Sequence, residues 1–253
     1  MSGHSKWSTI KHGKAVTDAR RGQLFTKLAK EIIVAVRQGG GTNPDMNVRL
    51  RMAVQRARDN NMPVDNIDRA IKRGSGESGS QDRVREATYE GYAPGGAAII
   101  LHTLTDNRNR TVSDVRATFS KAGGSLAEAG SVAWQFEQKG VVVAEVSPEH
   151  TEELAMIAID AGADDFEAVD ATLHIYSTPD KMEDIRDHLM EVGAVIKSSE
   201  LSMLPKNTVS LDEKGGLKTL HLLDRLEELD DVQKVFSNAD FPDETLERYR
   251  DES

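Results

Sequence analysis

The amino-acid sequence predicts an α+β multidomain protein in which a small helical bundle precedes two mixed domains, one inserted in the other. Three observations lead to that reading. Apolar residues recur three or four apart up to about residue 74, then fall in short alternating runs past a Gly/Ser-rich stretch. Glycine and proline punctuate the gaps between those runs. Beyond the stretch the order of elements repeats, as an internal duplication would leave it.

The first fourteen residues show neither period and form a basic tail with one aromatic, Trp7. Helical spacing begins near Thr17 and is clearest at Phe25, Leu28, Ala29, Ile32 and Val36. Gly39-Gly40-Gly41 stops it, because glycine loses the most backbone entropy in a helix. Asn47 suits the N-cap of a second helix burying Val48, Met52, Ala53 and Ala57 and ending at Asn60-Asn61. Pro63 suits the first turn of a third, which buries Val64, Ile67 and Ile71 and is closed by Gly74. Three short helices make a bundle, and Gly74–Ser80 reads as a linker.

Glu86–Tyr92 and Ala97–Thr105 then read as strands around the turn Ala93-Pro94-Gly95-Gly96. A helix with Val112, Val115 and Phe119 follows and ends at Gly123-Gly124. Trp134–Gln138 and Val141–Val146 read as a strand pair around Lys139-Gly140. After them come a helix (Leu154, Ile157, Ala158), a strand (Ala171–Tyr176), a helix (Met182, Ile185, Leu189) and a strand (Ile196–Leu201). Thr208–Leu211, a helix around Leu220, Leu223 and Leu226, and Val232–Ser237 complete the series. The sum is an N-terminal three-helix bundle plus two ferredoxin-like domains of ββαβαβ type. The expected division is a tail (1–16), a bundle (17–79), a discontinuous α+β domain (80–130 with 205–253) and an inserted one (131–204).

Composition narrows the function. No apolar run nears the ~20 residues of a membrane span, and no apolar core follows the N-terminal charges as a secretory signal requires. With no cysteine there is no disulfide, thiolate chemistry or Cys-based zinc site, so the expected location is the cytoplasm. The net charge of −10 conceals a division: residues 1–80 hold fifteen Lys and Arg against seven Asp and Glu, or +8, leaving −18 on the rest. Exposed fields fade over ~8 Å at physiological salt. A basic module attached to an acidic body therefore still attracts phosphate.

Lys6, Lys11 and Lys14 around Trp7 and His12 have the make-up of a phosphate-and-base reader. Ammonium groups neutralise phosphates and an indole stacks on an unpaired base for ~1–3 kcal/mol. The same tryptophan would equally pack on the bundle. Arg20, Arg21, Lys27 and Lys30 lie opposite the apolar stripe of the first helix, as phosphate contacts or as a solvated face. In Thr105–Thr111, Asn109 or Thr111 is expected to cap the next helix, whereas Arg108 and Arg110 are available to a phosphate or an acidic surface. The histidines do not cluster at metal-ligand spacing, and no phosphate-binding Gly-rich loop or nucleophile elbow occurs. No catalytic residue, metal or cofactor is expected.

These residues together carry a resemblance. Gly3-His4-Ser5-Lys6-Trp7, Ile10-Lys11-His12 with Lys14, Phe25-Thr26-Lys27-Leu28, Asn60-Asn61-Met62-Pro63, Tyr89-Glu90-Gly91-Tyr92, Thr105–Arg110 and Gly130-Ser131-Val132 resemble the YebC/PmpR family from end to end. Ala93 departs from the family's usual glycine before proline, a position whose extended conformation alanine accepts. The resemblance implies three domains, no catalysis and no cofactor. It implies a DNA-binding transcriptional regulator or, as other members act, a ribosomal-RNA-binding translation factor that relieves stalling at proline-rich sequences or activates translation. A monomer without membrane or small-molecule partners is expected, and the family's basic positions fall on Lys6, Trp7, Lys11, His12, Lys14, Arg20, Arg21, Lys27, Arg108 and Arg110.

Overall fold

The computed structural model describes residues 18–77 and 84–252, with side chains described from Arg21 onward. Helices α1 (Asp18–Gln38), α2 (Val48–Asp59) and α3 (Val64–Ser75) form the bundle. Leu28, Ile32, Ala35 and Val36 of α1 close on Leu50, Ala53, Val54 and Ala57 of α2 and on Ile67 and Ala70 of α3. Helices α2 and α3 each pack along α1 and scarcely touch each other. Asn47 fastens the corner. Its side-chain oxygen accepts from the Leu50 amide (3.0 Å), and its own amide donates to the carbonyls of Ala35 (2.9 Å) and Gly41 (2.8 Å).

Two details depart from the expectation. Val48 and Val64 stay exposed, because each stands at the first position of its helix and points away from α1. Gly74 does not end α3, which runs to Ser75 and stops at Gly76 in the left-handed conformation (φ +83°). Gly74 instead permits close packing: a Cβ there would lie 2.8 Å from Cβ of Val36.

Beyond the bundle come β1 (Arg85–Tyr92), β2 (Ala98–Thr105), α4 (Arg108–Ala122), β3 (Ser125–Ala127) and β4 (Phe136–Glu145). Then follow α5 (Thr151–Asp160), β5 (Asp165–Val169), β6 (Thr172–Ser177), α6 (Met182–Glu191) and β7 (Ile196–Pro205). The chain continues through β8 (Val209–Ser210), α7 (Glu213–Glu227), β9 (Val232–Ser237), β10 (Ala239–Asp240) and α8 (Asp243–Glu252). One antiparallel sheet has the order β3-β1-β2-β9, a second the order β5-β6-β4-β7, and β8 and β10 pair in parallel apart from both. The class is mixed α+β, with a helical N-terminal region and antiparallel sheets.

The first sheet buries Ile99, Leu101 and Val235 against Val115 and Phe119 of α4 and Leu220, Leu223 and Leu226 of α7. Its other face sets Ala98, Ile100 and Phe236 against Val132 and Phe136, where the second sheet begins. The second sheet buries Val142, Leu173 and Ile175 under Ala155 and Ala158 of α5 and Ile185 and Leu189 of α6.

Within the second unit the order is βαββαβ, which corrects the expected ββαβαβ. The supposed pair 134–138 and 141–146 is a single strand with no turn at Lys139-Gly140. Gly140 is there for proximity: a Cβ would sit 2.6 Å from Cβ of Met182, so glycine lets α6 lie close to β4. Strand β5 escaped the pattern because it is an edge strand with only Val169 buried and acidic residues at 165 and 167. In the first sheet the fourth strand is three-residue β3, paired through Glu90↔Ala127 to Tyr92↔Ser125, and not the segment near 208–211. Helix α8 was not anticipated, since only Thr245, Leu246 and Tyr249 of it are buried.

Glu90 is a buried acid on β1 that organises the chain leading into β4. It accepts from the amides of Gly130 (2.6 Å), Val132 (2.6 Å) and Ala133 (3.0 Å). Burial pushes its carboxyl up, but the three N–H donors outweigh burial and hold it below the ordinary value. Glu90→Gln is expected to destabilise the protein by about 2 kcal/mol, because one N–H would face an NH2 group instead of a charged acceptor. An unchanged denaturant midpoint would show that these amides need no carboxylate.

Candidate nucleic-acid interface

Of the residues singled out in the sequence, Lys6, Trp7, Lys11, His12 and Lys14 lie outside the described residues. Arg20 is in the first turn of α1, and Arg21 beside it is exposed. Lys27 and Lys30 are half-buried about two turns further on. Arg108 and Arg110 open α4, whose N-cap is Asn107, accepting from the Arg110 amide at 3.1 Å. That replaces the expected caps Asn109 and Thr111. Thr111 is buried inside the helix because its hydroxyl has another partner.

That partner is Asp231, between α7 and β9. Its carboxylate is only 6 % exposed and joins the bundle to the body. One oxygen accepts from Lys30 Nζ at 2.7 Å. The other lies 2.8 Å from Arg110 Nη2, 2.7 Å from Thr111 Oγ1 and 3.3 Å from Thr105 Oγ1. Its backbone carbonyl accepts from the Leu104 amide at 2.8 Å. Three elements distant in sequence thus converge on one acid, and the structure brings two predicted cations, Lys30 and Arg110, to the same carboxylate. Arg110 also pairs with Asp106 at 2.9 Å, while Arg108 donates to the Glu86 carbonyl at 3.2 Å.

Burial pushes the Asp231 carboxyl up, but Arg110, Lys30 and Thr111 outweigh it and bring it from 3.8 down to about 2. A depressed folded-state pKa stabilises the fold fully above the unfolded value, and the gain is lost as pH falls through the folded one. The wild-type protein is therefore expected to lose about 2 kcal/mol attributable to Asp231 between pH ~5 and pH ~2. Denaturant midpoints across that range should fall more steeply than in Asp231→Asn. Equal slopes would remove Asp231 as the source.

Around this acid a cleft of ≈ 770 Å³ separates α1 and α3 from the start of α4 and the α7–β9 turn. Both charge signs line it, with Lys30, Arg69, Arg73 and Arg110 facing Asp106, Asp114, Glu228 and Asp231. Elsewhere the bundle meets the body through Arg49 with Glu86 and Arg56 with Glu200, through a thin apolar seam of Val34, Val84 and Leu104, and through half-buried Met52, which packs on the margin of the second sheet's core. The outer surface of the bundle carries Arg37, Arg51, Arg58 and Lys72, all exposed, and Arg69 is exposed at the cleft. These cations were present in the sequence only as part of the charge count. Asp231 had a sequence signal too, an Asp-Asp pair between a helix and a strand, but nothing in it marked burial.

Among the described residues no three His, Asp or Glu side chains are grouped to hold a metal ion, and no helix is long and apolar enough to cross a membrane.

Comparison with known proteins adds a consistent picture. Residues 5–77 match the model for the TACO1/YebC protein N-terminal domain, and residues 84–239 the model for the TACO1/YebC second and third domain. A protein of Dehalococcoides mccartyi named a probable transcriptional regulatory protein is 55% identical over 253 residues, covering 100% of both chains. One of Chloroflexus aggregans with the same description is 51% identical over 251 residues, covering 98% of this chain and 99% of its own. The crystal structure of a conserved hypothetical protein from Aquifex aeolicus superposes with a TM-score of 0.84 at 44% identity, over 92% of this chain and 96% of that one. With both family models matched in order along nearly the whole sequence, the chain belongs to the TACO1/YebC family.

Proposed function

We propose that the protein is a non-catalytic regulator of gene expression in the cytoplasm, a monomer that binds nucleic acid through its N-terminal tail and the basic side of its bundle. The observation that carries this reading is the sorting of charge. Exposed Arg37, Arg51, Arg58, Arg69 and Lys72 stand on the bundle, next to a tail with Lys6, Lys11, Lys14, His12 and Trp7, while the rest of the chain is strongly acidic. Phosphate attraction is local to such a surface and survives the overall negative charge. Arg21, exposed in the first turn of α1, is assigned to the same surface, with Arg20 before it in the sequence. Lys27, Lys30, Arg108 and Arg110 continue it toward the body. The naming of the relatives as probable transcriptional regulators supports the regulatory class and favours duplex DNA as target.

A second reading, structured RNA within the ribosome, has a specific observation in its favour. A helix that reads the major groove presents its N-terminal residues to the bases, and its partner helix packs against it. Helix α3 begins with exposed Asp65 and Asp68, carboxylates that repel phosphate, and α2 hardly touches it. A slim basic tail is better suited to a crevice in folded RNA.

Co-sedimentation with ribosomes at physiological salt, with random-sequence duplex DNA as competitor, decides between them. Retention on the ribosome despite the DNA identifies a translation factor. Loss to the DNA identifies a DNA-binding regulator, and binding to neither removes the proposal.

A further inference from the structure

The α1 lysines are occupied within the molecule itself. Lys27 Nζ donates to the Glu227 carbonyl. Lys30 Nζ donates to the Asp230 carbonyl at 3.0 Å and to the Asp231 carboxylate at 2.7 Å. The turn that receives them, Glu227-Glu228-Leu229-Asp230-Asp231, supplies four carboxylates in five residues. Carbonyl and carboxylate oxygens here do for the ammonium groups what phosphate oxygens would do in a nucleic-acid complex.

We propose that this acidic turn is a built-in competitor for the lysines of α1, so that the latched arrangement and the nucleic-acid-bound arrangement of Lys27 and Lys30 exclude one another. The proposal rests on the functional reading above and adds its regulation: the protein rests closed, and phosphate opens it.

The rest of the junction fits a closure that can be undone. The chain crosses from bundle to body once, between α3 and β1. The apolar contact is small, a seam of Val34, Val84 and Leu104 and half-buried Met52 at the margin of the second core. The pairs Arg49 with Glu86 and Arg56 with Glu200 join side chains that are each more than a third exposed, and such pairs contribute ~0–1 kcal/mol. The ≈ 770 Å³ cleft already separates α1 and α3 from the α4 side at this point, so release of the two lysines need not tear a packed core. Asp231 itself keeps Arg110, Thr111 and Thr105 when Lys30 leaves. The body therefore retains its fold in the open state. Ligand affinity in such a system is the intrinsic affinity scaled by the fraction that is open.

Because the chain has no cysteine, the closure can be fixed covalently. Thr26 and Glu228 line opposite sides of the cleft, and Thr26→Cys with Glu228→Cys in the full-length protein can be bridged by a short bismaleimide. The control is the same protein with both thiols capped by N-ethylmaleimide. Binding is measured to purified ribosomes and to a random-sequence DNA duplex. The expected result is that the bridged protein binds whichever of these the capped protein binds at least about tenfold more weakly, as a tenfold smaller open fraction requires. Equal binding by bridged and capped protein would overturn the latch and leave the functional reading standing. Failure of the capped protein to bind either probe, when the unsubstituted chain also fails, would sink the functional reading and the latch with it.

Discussion

Reversal of Lys6, Lys11 and Lys14 to glutamate is expected to abolish nucleic-acid association, with a fall on the order of a thousandfold at physiological salt. Three phosphate contacts are lost and three repulsions take their place, in the part of the chain where no acidic residue dilutes the charge: the first acid is Asp18. The dependence of log affinity on log salt should also become shallower by about 3, one for each counterion-releasing lysine removed. Helical content and melting should not change, because among the described residues the three main cores of the fold begin at Leu24. Filter binding across a salt series reads both quantities. Undiminished binding by the triple variant would take the tail out of the mechanism and leave the outer face of the bundle as the only contact.

The second large effect concerns stability. Asp231→Ala is expected to cost about 3–5 kcal/mol, the usual result of removing one partner from a buried ionic cluster. Lys30 loses its carboxylate, Arg110 keeps only exposed Asp106, and Thr111 and Thr105 are left with each other and the Asn107 backbone. Arg110→Ala should cost far less, because Lys30 and two hydroxyls still satisfy the acid. Chemical denaturation of the two variants side by side gives the comparison. If Asp231→Ala costs no more than Arg110→Ala, the acid is not the centre of the cluster. Small-angle scattering on Asp231→Ala should in addition show a longer molecule, as the bundle loses the stronger of its polar ties to the body.

The bundle was legible in the sequence because its cues are local. The α1 stripe and the Asn47 cap lie within a few residues of the structure they specify, and both appear in the fold as expected. The glycines were harder. Gly74 and Gly140 read as breaks, yet each permits another element to come within van der Waals range, a reason that lies about 40 residues away in Val36 and Met182. Edge strand β5 and helix α8 were lost for a related reason, since an element with one or two buried residues leaves little periodicity. At the site the difference is larger. Cations are easy to find in a sequence, but whether Lys30 and Arg110 face solvent or a carboxylate depends on Asp231, 201 residues from one and 121 from the other. The Glu90 cradle has the same character: motif residues at 90 and 130–132 could be recognised as such, but the contact that relates them is tertiary.

That 201-residue interval also has a meaning in time. Strand β9, which closes the first sheet against β2, and the acid that receives Lys30 are both made near the end of synthesis. At ~5–20 residues per second, Lys30 precedes Asp231 by on the order of ten to forty seconds. The bundle, whose own core lies within residues 24–71, is complete early in that interval. For that period Lys27 and Lys30 of a nascent chain lack the turn that later receives them, a short distance from the ribosomal RNA that is producing it. Only the finished chain can mask these two lysines.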